Sequence, residues 1–247
     1  MYHHIAPPQA VPLKWEPNEG WHFRHSPEGF ERQLLALLKR GYRFITLAKL
    51  ADDIHQHGVE RPDTLVLTFD DGWVDNYTYA MTVLKKLSIP ATFFVTSAHL
   101  YTGTDDTKKM NLLQMKNLLQ AGMTIGGHTR THRNLTKLPL PEARAEITGC
   151  KADLEQALSV EVDFFAYPGG AFNRQVSEAV RETGFTAACS VLSPAVNTIN
   201  SLFWLFRSVL SERINKCSDL YRLTPMLVRL LEFRVRRRLR RQFASSL

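Results

Sequence analysis

Two short motifs in this sequence hold the side chains that could perform metal-assisted chemistry. Thr68-Phe69-Asp70-Asp71-Gly72 follows one apolar run, and His128-Thr129-Arg130-Thr131-His132 follows a later one. One carboxylate and two imidazoles can hold a divalent cation while leaving coordination positions open, as a catalytic metal site requires. The second carboxylate is then available as a general base. Together the motifs predict a metal-dependent hydrolase.

The residue types suggest a role for each side chain. We expect Asp71, His128 and His132 to be metal ligands, because two histidines four residues apart can face one way on a helical turn. The second motif lacks the glutamate of a HExxH zinc protease, so we expect Asp70 to serve as the base. We expect a divalent metal, with Zn²⁺ as the first choice. Taken alone, each motif also fits an ordinary turn or a pair of surface histidines.

The elements around these motifs alternate between helix and strand. A helix is predicted to begin at the N-cap Ser26 and to end at Gly41. Strands and further helices then follow in turn. The predicted strands are 64–69, 91–96, 123–125, 162–167 and 185–190, and the predicted helices are 75–87, 111–120, 141–158 and 174–183.

This alternation predicts an α/β fold with parallel strands, as either a barrel or an open doubly wound sheet. Each candidate motif follows a predicted strand, and both architectures place their active sites at the carboxyl ends of strands. We expect one barrel domain over residues 1–220. Residues 221–247 are expected to form a basic amphipathic C-terminal helix or tail.

The two motifs together resemble the polysaccharide deacetylase family, also called carbohydrate esterase family 4 or the NodB homology domain. TFDDG matches residues 68–72, H[ST]xxH matches residues 128–132, and the resemblance covers about residues 1–220. It implies a distorted (β/α) barrel that removes acetyl groups from N-acetylated sugars with the help of a metal. On the matching positions Asp70 would be the base, and Asp71, His128 and His132 the ligands.

A third family motif corresponds to residues 165–170, but this chain departs from the family pattern there. Ala166 and Gly169 stand where the family usually has an arginine and a tyrosine. The backbone N–H of Gly169 can still bind an oxyanion, because that role needs no side chain. We expect Tyr167, Pro168 and Trp73 to contact the substrate. The alternative is that residues 168–170 form only a tight turn.

In the family that this chain resembles, a late histidine usually protonates the leaving amine, but no histidine follows residue 132, so we expect the general acid at the N-terminus. Residues 1–5, Met-Tyr-His-His-Ile, resemble the Tyr-His motif of a circularly permuted branch that includes poly-N-acetylglucosamine deacetylases. His3 is the matching position, with His4 beside it, and an imidazole titrates near neutrality as an acid should. A disordered histidine pair is the alternative. In that branch the charge partner of the base often comes from a late strand, which makes Arg207 a candidate for orienting Asp70, but we favour the interpretation of Arg207 as a solvated surface residue.

The net charge of +7 is concentrated in one segment. Residues 222–241 contain eight arginines and one acidic residue, Glu232, so this segment could bind an anionic membrane surface, and we consider nucleic acid an improbable partner. The main functional hypothesis is deacetylation of an N-acetylhexosamine-containing glycan. The alternative hypothesis is an inactive barrel that binds a membrane surface or RNA through its tail.

The cysteines, the N-terminal sequence and the remaining histidines give expectations about cellular location and burial. Cys150, Cys189 and Cys217 are an odd number without CxxC spacing, so we expect reduced, buried thiols. The sequence as written predicts a cytoplasmic, membrane-peripheral protein, or a periplasmic one if an export segment precedes it. The other histidines, at positions 22, 25, 55, 57 and 99, are expected at the surface or at the substrate rim.

Overall fold

A computed structural model of the protein describes residues 1–10, 23–100, 108–192 and 196–208. The predictions for residues 221–247, Cys217 and His22 lie outside the described residues. Within them the helices are α1 (Pro27–Lys39), α2 (Leu47–His57), α3 (Met81–Leu87), α4 (Leu112–Gln120), α5 (Leu140–Leu158) and α6 (Arg174–Glu182). The strands are β1 (Arg43–Phe44), β2 (Thr64–Leu65), β3 (Leu67–Phe69), β4 (Ala91–Val95), β5 (Thr124–Gly127), β6 (Phe164–Ala166) and β7 (Ala187–Cys189).

The main sheet is parallel and has the order β3-β4-β5-β6-β7. Each strand lies beside the next one along the chain, which confirms the predicted repetition of strand-helix units. A parallel bridge joins Tyr2 to Phe69 at one edge, and another joins Cys189 to Leu205 at the other edge. The Met1 amino group donates to the carbonyl of Ser208 at 2.6 Å, so the two edges meet. The result is the curled, barrel-like sheet that the sequence predicts.

Local capping explains where α1 begins. The Ser26 hydroxyl accepts a hydrogen bond from the Gly29 amide at 3.1 Å, and Pro27 occupies the first helical position, where its missing N–H costs nothing. Phe30, Leu34 and Leu37 recur at helical spacing and are buried against the sheet. The sequence prediction for this helix is confirmed.

Two predicted elements are divided in the structure. The strand expected over 64–69 splits, since Thr64–Leu65 pairs with Arg43–Phe44 while Leu67–Phe69 pairs with β4. The helix expected over 75–87 starts as a π turn over Asn76–Ala80 before α3 begins. The side chain of Asn76 is fully buried and donates a hydrogen bond to the carbonyl of His3. This bond ties the π turn to the N-terminal segment.

The core lies on both sides of the main sheet and includes the ring stack of Phe69 on Phe93, whose centroids are 4.7 Å apart. Cys150 and Cys189 are buried and free, as predicted. His55 and His57 are exposed, as predicted, but the surface prediction for His25 is wrong because His25 is fully buried against Tyr2. Among the described helices, none is long and apolar enough to cross a membrane.

Candidate metal centre and active site

The turn after β3 separates two adjacent carboxylates. Asp71 and Gly72 have positive φ angles of 73° and 69°, a left-handed conformation that aspartate adopts more readily than most non-glycine residues. A Cβ on Gly72 would lie 2.9 Å from Cγ1 of Val95, so only glycine fits against β4 here. This turn sends the side chains of Asp70 and Asp71 to different partners.

Asp71 faces both histidines of the second motif. Its Oδ1 lies 3.3 Å from Nε2 of His128 and 3.0 Å from Nε2 of His132. One candidate ligand atom from each residue lies within 4.8 Å of the others. We call Asp71, His128 and His132 the metal trio. The structure thus brings together the three ligands that the sequence predicts.

The hydrogen bonding of His128 fits a metal ligand. Its Nδ1 lies 2.7 Å from the carbonyl of Ala166, which can only accept, so Nδ1 carries the hydrogen. In the neutral ring Nε2 then has a lone pair, and it faces Asp71 Oδ1, a buried oxygen with no hydrogen-bond partner among the described residues. Opposed acceptor atoms of this kind are satisfied by a cation. The metal trio therefore fits a divalent metal.

Electrostatics keep Asp71 in its ligand form. Burial alone would raise the pKa of its carboxyl, but the imidazoles of His128 and His132, which attract the carboxylate when their facing nitrogens carry a proton, outweigh burial and hold that pKa well below its usual range. The indole Nε1–H of Trp73 donates to the other carboxylate oxygen at 3.1 Å. Asp71 is therefore ionised and oriented at neutral pH.

The segment carrying the two histidines, which we call the ligand loop (residues 128–132), is not the helical turn that the sequence predicts. Thr129 and His132 have positive φ angles of 63° and 62°. The loop follows β5, where a Cβ on Gly126 would lie 2.5 Å from the ring of Phe94, so the strand must pass close to its neighbour. The two imidazoles converge through these left-handed residues and not through helical periodicity.

Asp70 makes a buried, bidentate ion pair with Arg207. Oδ1 accepts from Nη1 at 2.7 Å and Oδ2 accepts from Nη2 at 2.8 Å. The guanidinium also donates to the hydroxyl of Thr68 and the carbonyl of Ser190. The two side chains are 3% and 6% exposed, so Arg207 pairs with Asp70 as its candidate role requires, and the interpretation as a solvated surface residue is wrong.

This ion pair sets the charge of Asp70. Burial would raise the pKa of its carboxyl, but the Arg207 guanidinium holds that pKa below its ordinary value. Asp70 is therefore a carboxylate at neutral pH, which is the form that can accept a proton.

The N-terminal histidines face different partners. His3 is half-buried within electrostatic reach of Asp70, Asp71 and His128, and burial lowers its pKa. Its ring stacks on Phe23, and its Nδ1 is buried without a hydrogen-bond partner among the described residues. His4 points elsewhere, because its Nδ1 pairs with Asp75. Of the two, His3 is the one near the candidate site.

The structure buries the three side chains that we expected to contact the substrate. The side chain of Tyr167 is fully buried and its hydroxyl donates to the carbonyl of Phe203 at 2.8 Å. Pro168 is also buried. Trp73 is 6% exposed, with Lys109 Nζ 3.2 Å from its ring centroid and the His4 ring 4.5 Å away. These side chains are packed into the protein and offer no open sugar platform.

Gly169 differs from its neighbours. It is exposed, has a φ of 61°, and has no atom within 4 Å of the position that a Cβ would occupy. The predicted role of its N–H remains a prediction.

The sequence analysis did not predict three residues that support the segments around the site, namely Asp75, Asn76 and Glu146. Asp75 accepts hydrogen bonds from the Ile5 amide at 3.2 Å and from the side chain of Asn76 at 2.8 Å. Asn76 also donates to the carbonyl of His3 at 2.7 Å. Glu146 on α5 accepts two hydrogen bonds from Thr131. Asp75 and Asn76 could have been suggested only by their closeness in sequence to the first motif. No local sequence signal indicates a role for Glu146.

Comparison with known proteins identifies the family. The family profile described as "Polysaccharide deacetylase" matches residues 57–188, more than half of the 247-residue chain. Protein YxkH of Bacillus subtilis is 26% identical over 210 residues, which cover 84% of this chain and 68% of YxkH. Peptidoglycan-N-acetylmuramic acid deacetylase PdaA of the same species is 25% identical over 177 residues, covering 68% of this chain and 60% of PdaA.

Solved structures give the same fold. IcaB from Ammonifex degensii superposes with a TM-score of 0.71 at 25% identity, covering 85% of this chain and 89% of IcaB. The deacetylase PplD of Streptococcus pyogenes superposes with a TM-score of 0.74 at 23% identity, covering 86% of this chain and 91% of PplD. The chain belongs to the polysaccharide deacetylase family, and its fold is the NodB-like (β/α) barrel that the motifs implied. The circular permutation stays a prediction.

Proposed function

We propose that this protein is a zinc-dependent deacetylase that hydrolyses the N-acetyl amide of an N-acetylhexosamine-containing glycan. The observation that carries the proposal is the convergence of the metal trio beside a buried carboxylate whose charge is fixed by Arg207. Two imidazoles and one carboxylate form a donor set typical of catalytic zinc. PdaA, which this chain resembles and which is a peptidoglycan-N-acetylmuramic acid deacetylase, supports glycan processing as the setting.

The proposed mechanism assigns each step to a residue of this chain. Asp71, His128 and His132 would hold the cation, which when bound lowers the pKa of a water molecule and polarises the acyl oxygen. Asp70 accepts the proton of the attacking water. The Gly169 N–H donates to the oxyanion that develops on the acetyl group. His3 gives a proton to the departing amine, so that acetate and a free amino sugar are the products.

The central experiment separates the base from the ligands. Asp70→Asn should abolish acetate release while bound zinc, measured by elemental analysis, stays near the wild-type amount. His132→Ala should lose activity and bind zinc much more weakly than wild type, because one of the three ligands is gone. Wild-type activity in Asp70→Asn would remove the proposed mechanism, and full zinc content in His132→Ala would remove the proposed ligand set.

The substrate is found by measuring acetate release across a panel. Chitooligosaccharides, poly-N-acetylglucosamine and peptidoglycan fragments differ in linkage and in the lactyl group of muramic acid. We expect turnover on at least one of them, lost on treatment with a chelator and restored by zinc. Activity that survives complete metal removal would contradict the proposal.

A further inference from the structure

Glu146 is a buried carboxylate on α5 that the proposed chemistry does not use. It is 8% exposed, and both of its oxygens are occupied by one residue of the ligand loop. Oε2 accepts from the Thr131 amide at 2.9 Å, and Oε1 accepts from the Thr131 hydroxyl at 2.6 Å. Hydrogen bonds to a charged acceptor are stronger than neutral ones, so this contact fixes both backbone and side chain at residue 131.

The ligand loop needs external support. Thr129 and His132 both adopt left-handed backbone conformations, which cost free energy in residues other than glycine. The His132 amide donates to the hydroxyl of Thr129 at 2.9 Å, a bond inside the loop. The imidazole of His132 is 41% exposed, so packing does little to hold it. Its position therefore depends on the backbone of the loop.

A second acidic residue of α5 supports the middle of this loop. Asp153 accepts from Arg130 Nε at 2.9 Å and from the Ser97 hydroxyl at 2.8 Å. The Ala98 amide also donates to the carbonyl of Arg130 at 2.9 Å. Arg130 is half exposed, so its ion pair is screened by solvent. The contact of Glu146 with Thr131 is buried and lies next to His132. Its hydrogen bonds, at 2.9 and 2.6 Å, are shorter overall than those between Asp153 and Arg130, at 2.9 and 3.3 Å.

We infer that Glu146 is a positioning residue for the metal centre: by holding Thr131 it presents His132 to the metal. The inference rests on the proposed function, because it requires the metal trio to bind a cation. Glu146 touches neither the metal nor the substrate, so its effect must pass through His132. Partners behind a metal ligand commonly contribute about 10- to 100-fold to metal affinity.

The test measures zinc affinity of the full chain by competition with a chromophoric chelator. Glu146→Gln should bind Zn²⁺ about 10- to 100-fold more weakly than wild type. Glu142→Gln is the matched control: Glu142 lies one turn earlier on α5, is half exposed and pairs with exposed Arg133. It should bind Zn²⁺ as wild type does. Equal affinity in Glu146→Gln and wild type would overturn the inference.

A double-mutant cycle shows whether Glu146 acts through His132. In a His132→Ala background, Glu146→Gln should cause no further loss of Zn²⁺ affinity. An undiminished further loss would mean that Glu146 acts elsewhere, and the inference would fail.

A second variant covers the case in which Glu146→Gln does not fold. Thr131→Val removes one of the two hydrogen bonds and should weaken Zn²⁺ binding, whereas Thr131→Ser should restore it. Equal affinity in Thr131→Val and Thr131→Ser would also overturn the inference. If wild type binds no Zn²⁺, the proposed function fails instead, so the two failures are distinguishable.

Discussion

The two halves of the site differ in how their charges are balanced. The base half consists of Asp70 and Arg207, and both oxygens of its carboxylate are paired within the protein. The metal half consists of the metal trio, and there a buried oxygen of Asp71 faces two imidazoles and has no hydrogen-bond partner among the described residues. Two consecutive aspartates thus have opposite surroundings. The base half is complete by itself and should support the fold, whereas the metal half has the donor set that a cation would complete.

The largest effect should come from breaking the metal half. With free Zn²⁺ at about 100 times Kd, wild type should gain about 2.7 kcal/mol in free energy of unfolding. Asp71→Asn should show no such gain and no acetate release, because an amide neither supplies the charge nor ligates zinc well. Thermal unfolding with and without Zn²⁺ measures this. A zinc-induced gain in the variant equal to that of wild type would contradict the comparison.

His3 lies within electrostatic reach of both halves. A substitution there tests whether protonation of the leaving group is separate from metal binding and from activation of water. His3→Gln should lower turnover of an N-acetyl sugar by about 10²- to 10⁴-fold, the usual contribution of a general acid. Hydrolysis of 4-nitrophenyl acetate should change little, because nitrophenolate leaves without a proton. His57→Gln, at an exposed position, is the control. Equal losses on the amide and on the ester would argue against His3 as the acid.

Breaking the base half should cost stability. Arg207→Met leaves the buried Asp70 charge unpaired and should lower the free energy of unfolding in urea by about 3–5 kcal/mol. Arg43→Met removes an ion pair with Asp63 whose side chains are 56% and 47% exposed. That control should cost at most about 1 kcal/mol. Similar losses in the two variants would show that the burial of the base half has no special energetic role.

The Arg207→Met result can be sharpened with a second substitution. Adding Asp70→Asn should recover part of the lost stability, because the buried group is then neutral. A double variant less stable than Arg207→Met would show that the loss has another cause.

A smaller effect is expected from the indole beside the metal half. Trp73→Phe removes the 3.1 Å hydrogen bond to Asp71 while keeping an aromatic ring. Zn²⁺ affinity should fall about 10-fold, at the low end for a residue behind a metal ligand. Trp204→Phe, where the ring stacks on Phe172, is the matched control. Calorimetric titration with Zn²⁺ measures both variants, and a 10-fold loss in the control as well would point to a general packing effect.

The smallest effect concerns the buried thiols of Cys150 and Cys189. Burial raises the pKa of Cys150 to about 12. The Cys150 sulfur packs against β5, 3.3 Å from the position that a Cβ on Gly127 would occupy. Burial likewise raises the pKa of Cys189, within electrostatic reach of Arg207, to about 11. Since only the thiolate reacts, both should resist Ellman's reagent at pH 9 in a Cys217→Ser background until the protein unfolds. Labelling of folded Cys150 after zinc removal would show that the metal half opens without its ion.

Much of this site could be predicted from the sequence because residue chemistry and strand position carry the information locally. Their positions at strand ends make Asp70, Asp71, His128 and His132 candidate site residues, since parallel strands present their carboxyl ends at one edge of the sheet. The predicted α1 and the order of alternating elements are equally local, because capping and hydrophobic spacing decide them.

Tertiary structure decided the partners and the directions of side chains. Arg207 reaches Asp70 across 137 residues of sequence, and no local pattern encodes such a pairing. Tyr167 turns into the core, and Trp73 is covered by Lys109, because side-chain direction at a strand exit depends on the turn that follows. The sequence alone determined which groups could bind a metal and move protons. Only the folded chain decided which residues hold them there, because buried charges take their partners from whatever the sheet brings within hydrogen-bond reach.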